Sequence, residues 1–172
     1  IRANKLNHNV ISGPNDRFGL IASGKAYNDT RQALHDLGLD EQRCHALGIR
    51  LHKVNVVWPL EATITREFAQ GLQEILVIEE KRGIIESQLK EYFYDYPGHK
   101  PERMVGKVDE IGRTLIPWIG ELAPRMLPEI LAARLDPIFP GLGLIERAAQ
   151  LTQPGEPIEI AGVERFHRAA SA

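Results

Sequence analysis

The run Gly19-Leu20-Ile21-Ala22-Ser23-Gly24-Lys25-Ala26 matches the phosphate-cradling spacing G-x-x-x-x-G-K-[ST] at every position but the last. That position matters, because its hydroxyl would ligate the magnesium that accompanies a nucleoside triphosphate, and alanine has none. Gly19 also falls inside an apolar run, Phe18 to Ala22, whereas a phosphate cradle needs a loop whose successive N–H groups are free. The chain is therefore not read as a nucleotide hydrolase. A smaller feature remains. Ser23, Gly24 and Lys25 stand where an apolar strand gives way to a helical pattern, so unpaired backbone N–H groups and a cation converge there. Either an anionic group, such as the phosphates of a nucleotide or of coenzyme A, docks at that turn, or Ser23 caps the helix and Gly24 lets the backbone turn tightly.

The next candidates are carboxylates and aromatics. Glu79-Glu80-Lys81-Arg82 follows an apolar strand, at the edge where open α/β sheets usually place ligands. Paired carboxylates can do acid–base work when their surroundings split their pKa values, but adjacent residues at a strand end point opposite ways. Helix N-terminal charge and solvated ion pairing are the simpler roles for Glu79 and Glu80. Trp58 and Trp118 each stand beside a proline, where an aromatic packs a loop or anchors an interface. The six histidines (His8, His35, His45, His52, His99 and His167) include no i, i+4 pair and no H-E-x-x-H spacing, so a zinc site is not expected. There is no G-x-S-x-G around Ser23 and no G-x-G-x-x-G anywhere. Cys44 is the one cysteine; without other thiolates it makes no disulfide or metal cluster, and it reads as a small packing residue.

Those residues need a scaffold, and the composition supports a folded one. In 172 residues, 43% are hydrophobic and 26% charged, which fits a single soluble α/β domain with a core of its own. The formal net charge of -2 offers no basic excess for nucleic acid. No apolar stretch approaches a membrane span or a signal peptide, and a reducing cytoplasm suits the lone thiol. The chain begins without methionine, as an excised segment would.

Short apolar runs alternate with helical periods, the pattern of a parallel sheet covered by helices. Phe18 to Ala22 reads as a buried strand, followed by a helix opening at Gly24 with Tyr27, Ala33, Leu34 and Leu37 inward and Gly38 as its stop. A helix over Glu41 to Leu47 and a strand over Ile49 to Val57 follow, the strand ended by Trp58-Pro59. A helix over Thr63 to Leu72 leads to the strand Glu74 to Ile78, then to a helix with Ile84, Ile85, Leu89, Tyr92 and Phe93 inward, closed by Tyr96-Pro97-Gly98. Asn9 to Ile11 and Arg103 to Val108 read as edge strands, and Pro128 to Leu135 as a helix with its proline near the start. Residues 1–135 thus form the α/β domain. From Asp136 on, Pro137, Pro140, Gly141, Gly143, Pro154, Gly155 and Pro157 break every long period, so 136–172 read as a linker or C-terminal extension with a short helix and a fraying Ala-Ala-Ser-Ala end.

Several stretches together resemble one family. They are Ser23-Gly24-Lys25-Ala26-Tyr27 with Asp29, Arg31-Gln32-Ala33-Leu34 with Leu37-Gly38, Gly48-Ile49-Arg50-Leu51 with Lys53-Val54, Trp58-Pro59-Leu60-Glu61, Val77-Ile78-Glu79-Glu80-Lys81-Arg82, and Val105-Gly106-Lys107. In order and spacing they resemble the middle region of the large fused indolepyruvate ferredoxin oxidoreductases, in the 2-oxoacid:ferredoxin oxidoreductase group, over about residues 1–135. Two positions depart from the pattern: Ala62 and Gly83 stand where prolines are usual.

The resemblance implies a transketolase C-terminal-like fold: a mixed sheet of five strands in the order 1-3-2-4-5, strand 1 antiparallel, between helical layers. Asn9 to Ser12 would be strand 1 and Arg103 to Lys107 strand 5. It also implies that the whole enzyme oxidatively decarboxylates an aryl 2-oxoacid such as indolepyruvate, using thiamine diphosphate, coenzyme A and iron–sulfur clusters, with ferredoxin as electron acceptor. The diphosphate and cluster motifs of such enzymes lie in other domains. This chain is then expected to carry no cofactor and no catalytic residue, to be inactive alone, and to pack beside thiamine-binding and iron–sulfur domains in an oligomer. Ser23, Gly24, Lys25, Trp58 and Glu79 are its ligand-binding candidates, with coenzyme A a possible neighbour.

Overall fold

Burial follows the strands residue by residue. In a computed structural model, which describes residues 1–152, Phe18–Ser23 forms β2 and Glu74–Ile78 forms β4, and every residue of both but Ser23 is buried. Strands covered on both faces read as unbroken apolar runs, which is why these two are plain in the sequence. His8–Ile11 (β1), Ile49–Val54 (β3) and Arg103–Val105 (β5) complete a sheet in the order β1-β3-β2-β4-β5. β1 pairs antiparallel with β3, and the other pairings are parallel. The mixed five-stranded α/β sheet is therefore the one that the family resemblance implies. His167 and the breaker residues from Pro154 onward lie outside the described residues.

Alternating side chains of the strands feed two cores. On one face Phe18, Leu20, Ala22, Ile49, Leu51, Leu76 and Ile78 pack under α1 (Gly24–Asp36), α2 (Glu41–Leu47), α5 (Met126–Leu135) and α6 (Leu144–Thr152). On the other, Ile21, Val54, Ile75 and Val77 pack under α3 (Ala62–Ala69) and α4 (Ile84–Tyr94). Each buried Leu, Ile, Val or Phe contributes about 1.5–3 kcal/mol. Phe139, Leu144 and Ala148, beyond Asp136, belong to the first core, and the Arg147 guanidinium donates to the Leu37 carbonyl at 2.9 Å.

Local chemistry sets the ends of the elements. Asp40 caps α2 by accepting from the Arg43 N–H, and Gly48, at φ 90°, ends it in the left-handed region that other residues avoid. β3 stops at Val54 rather than running to Val57. The Asn7 carboxamide oxygen accepts from the N–H groups of Asn55 and Val56, both at 3.0 Å, and its amide donates to the Val56 carbonyl. The backbone that would have continued the ladder is thus satisfied by a side chain. α4 also differs from expectation, because Ile85, Leu89 and Phe93 are buried while Ile84 is 41% exposed. The inward face keeps one i, i+4, i+8 row, and Ile84 lies a residue off it. α3 starts at Ala62 and ends at Ala69, three residues before Leu72.

Candidate functional site

The carboxyl ends of β3, β2 and β4 lie side by side, and the sequence candidates gather there. Ser23 ends β2 and holds the N-cap position of α1 in extended geometry (φ -131°, ψ 158°), but its hydroxyl makes no capping bond. Gly24 turns the chain at φ +53°, with open space where a side chain would stand, so backbone conformation is what asks for glycine. Ser23, Gly24, Lys25, Val57, Glu79 and Arg82 are among the residues lining an open hollow of about 270 Å³.

Of the cations lining this hollow, Arg82 is exposed and joins no ion pair among the described residues, whereas Lys25 is fully engaged. The Lys25 ammonium stands 2.7 Å from Asp29, 3.1 Å from Glu121 and 3.4 Å from Glu80, and bonding to these carboxylates, Asp29 first, holds it well above the usual lysine range. Three carboxylates about one ammonium leave the turn net negative. An incoming phosphate would face them, which offsets the attraction of the first turn of α1.

Glu79 is turned inward. It is 8% exposed, and its carboxylate accepts from the backbone N–H groups of Ile84 (3.1 Å), Ile85 (2.8 Å) and Glu86 (3.0 Å). It thus caps α4, whose own N-cap residue, Gly83, has no side chain to do so. Burial pushes its carboxyl above the usual range, against the pull of those three amides. Glu80 turns the other way, to Lys25, so the two carboxylates do not converge.

Lys107, which the sequence placed in an edge strand and a family stretch but not among the site candidates, lies two residues past the end of β5 and beside Glu79 at 1% exposure. Its ammonium donates to the carbonyls of Glu79 and, at 3.0 Å, Pro117; its backbone N–H donates to the Glu86 carboxylate at 2.9 Å. Burial lowers its pKa. Its partners lie 28, 10 and 21 positions away, so no local spacing announces them. Gly106 is the exception: a Cβ there would meet the Glu86 carboxylate at 2.6 Å, which marks the close approach.

Apolar side chains around the same edge face outward. Trp58, past the end of β3 and joined to Pro59 by a cis peptide, is 69% exposed, so it does not pack its loop. Trp118 (52%) and Ile119 (89%) stand in the loop tied down by the Lys107–Pro117 bond and the Lys25–Glu121 pair. With Ile84 they give a paired, charged edge a partly apolar surround.

Cys44 is fully buried, and burial pushes its thiol up to about 12, so it packs as a protonated, unreactive group. Among the described residues, no group of three or more His, Cys, Asp or Glu side chains is arranged to hold a metal ion. The residues present do not fit an iron–sulfur cluster, since the one sulfur of cysteine is inaccessible. The carboxylates around Lys25 fit a diphosphate equally poorly. No helix among the described residues is long and apolar enough to cross a membrane.

Known proteins carry similar segments. Subunit IorA of indolepyruvate oxidoreductase from Pyrococcus abyssi is 29% identical over 125 residues, 72% of this chain and 17% of that one. The Thermococcus kodakarensis subunit is 27% identical over 130 residues, 75% and 18% of the two chains. That of Methanothermobacter thermautotrophicus is 33% identical over 91 residues, 52% and 13%. The chain therefore spans less than a fifth of the length of these relatives. Among solved structures, a chain described as split gene transketolase, inactive beta4 tetramer, superposes with a TM-score of 0.48 at 14% identity, over 85% of this chain and 42% of that one. The model of the indolepyruvate ferredoxin oxidoreductase middle domain matches residues 7–135, from the residue that closes β3 to the end of α5, and this chain belongs to that family.

Proposed function

We propose that this chain is a non-catalytic structural and interface domain of a cytoplasmic, oligomeric oxidoreductase that oxidatively decarboxylates aryl 2-oxoacids such as indolepyruvate. Thiamine diphosphate, coenzyme A and iron–sulfur clusters serve the chemistry in neighbouring domains, and ferredoxin takes the electrons. One observation carries the reading. At the carboxyl edge of the sheet Glu79 is spent on α4, Lys107 on loop carbonyls and Lys25 on three carboxylates, while Trp58, Ile84, Trp118 and Ile119 face outward. An edge so arranged offers a neighbour apolar surface and offers a substrate no free acid, base or nucleophile. Family membership and the small share of the relatives' length support the same reading.

The test compares the 172-residue chain with the whole enzyme that contains it. The chain alone should show no turnover of indolepyruvate with coenzyme A and ferredoxin, and Trp118→Glu with Ile119→Glu in the whole enzyme should impair assembly. Turnover by the chain alone would refute the reading. A second reading, a phosphate, nucleotide or coenzyme A site at the Ser23–Lys25 turn, is favoured only by the uncapped first turn of α1 above its hollow. Calorimetry with coenzyme A and ATP decides it: heat that vanishes in Lys25→Ala supports that site, and silence on both ligands removes it.

A further inference from the structure

Between β5 and α5 the chain first closes on itself and then makes an exposed arch. The N–H groups of Leu115 and Ile116 donate back to the Lys107 carbonyl at 2.9 and 3.4 Å, and the Asp109 carboxylate accepts from the N–H groups of Ile111 (3.0 Å) and Arg113 (2.8 Å). Ile116 and Leu122 are buried in the first core, and residues 117–121 stand out between them. Among the described residues, no backbone carbonyl accepts from the N–H groups of Trp118, Ile119, Gly120 or Glu121.

Two ammonium groups hold the arch, and they differ in kind. At one end buried Lys107 donates to the carbonyls of Pro117 and Glu79. A buried ammonium drawn away from its acceptors would stand uncompensated, so this end is fixed. At the other end Glu121 meets Lys25 at 3.1 Å, with side chains 69% and 47% exposed. So exposed a pair shifts an equilibrium by about fivefold or less. When Glu121 leaves, it enters water, and Lys25 keeps Asp29 at 2.7 Å and Glu80 at 3.4 Å, so neither charge is stranded. This end opens without disturbing the core.

We propose that residues 117–121 form a clasp, fixed at Pro117 and releasable at Glu121, that sets whether Trp118 and Ile119 are held ready for a neighbouring domain. Closed, it orders the two side chains before contact, which spares the complex that entropy and favours docking. Open, it leaves them to be ordered on binding. The proposal rests on the reading of this edge as an interface, and names the regulation of that interface.

The test is NMR relaxation of the full 172-residue chain, read at the amides of residues 118–121 and at the Trp118 indole. At about 20 mM salt the arch should be as rigid as the sheet, with order parameters of about 0.85, and in Glu121→Gln they should fall to about 0.6 while α1 and the sheet stay unchanged. Salt at about 1 M should loosen the unaltered chain in the same way. Glu80→Gln removes from Lys25 a carboxylate that the arch does not carry, and should leave the arch rigid. Equal rigidity in Glu121→Gln and the unaltered chain, or equal loosening by Glu80→Gln, would overturn the proposal. In the whole enzyme, Glu121→Gln should weaken assembly about twofold to fivefold. If Trp118→Glu with Ile119→Glu impairs assembly and Glu121→Gln does not, the interface stands and the clasp fails; if neither does, the interface reading falls and the clasp with it.

Discussion

Replacing Gly19 with alanine tests whether the stretch that mimics a phosphate loop is core instead. Gly19 lies inside β2, with β3 and β4 paired on its two sides. A Cβ there would stand 2.4 Å from Leu72 Cδ1 and 2.9 Å from Phe68 Cζ. Apolar carbons rest about 3.5–4.0 Å apart, so Leu72 would have to retreat by about 1 Å. It has little room, since Leu72 and Phe68 are 0% and 1% exposed. Overpacking of this kind costs about 1–3 kcal/mol, and alanine recovers up to about 1 kcal/mol through the lower entropy of its unfolded chain. The net loss is about 1–2 kcal/mol. Urea unfolding should therefore show the midpoint falling by about 0.5–1 M with an unchanged slope. Leu72→Ala supplies the control, because it removes the methyl that clashes. In that background only the milder Phe68 contact remains, so Gly19→Ala should cost clearly less, giving a coupling of about 1 kcal/mol. An unmoved midpoint, or two substitutions that simply add, would refute the close-packing account and reopen Gly19 as a loop residue.

Glu74 is 1% exposed and joins Arg103 at 2.7 Å and Arg134 at 2.6 Å, so Glu74→Gln should cost about 3 kcal/mol in urea unfolding by leaving both guanidinium groups facing a neutral amide; no loss would show that the pairs contribute nothing net. The second expectation concerns acid. His52 has its folded pKa lowered to about 4 from an unfolded value of about 6.5, so its contribution is fully present above about 6.5 and is lost as pH falls toward 4. Relative to His52→Gln, the protein should lose up to about 3 kcal/mol across that window, and parallel pH profiles for the two proteins would contradict it. Cys44 should ignore a thiol reagent at pH 8 until the chain unfolds. Modification faster than global opening would mean that the thiol is accessible.

Much of the scaffold was legible because burial on both faces writes itself as apolar runs. β2 and β4 are such runs, and α2 is bracketed by Asp40 and Gly48 as capping chemistry requires. The candidate turn was legible too: Ser23, Gly24, Lys25 and Glu79 line one hollow. What escaped depends on partners far along the chain. β3 ends early because Asn7 reaches Asn55 and Val56 from 48 and 49 positions away. The roles of Glu79 and Lys107 follow from each other's position. Ile84 and Ile85 are the same residue type in adjacent places, and only packing decides which one faces in.

The face of α1 that carries Leu34 and Leu37 is closed by α5 and α6, the last described elements to leave the ribosome. The sheet can assemble before they emerge, since β5 ends at Val105. For that interval the nascent domain has a finished middle layer whose one side is covered only in part, by α1 and α2, and apolar surface left open in this way makes a folding chain prone to stick to others. The Arg147–Leu37 bond, spanning 110 positions, is a late latch over that side. A chain cut before Met126 would keep it open permanently, and would need a chaperone or a neighbouring domain to stay in solution.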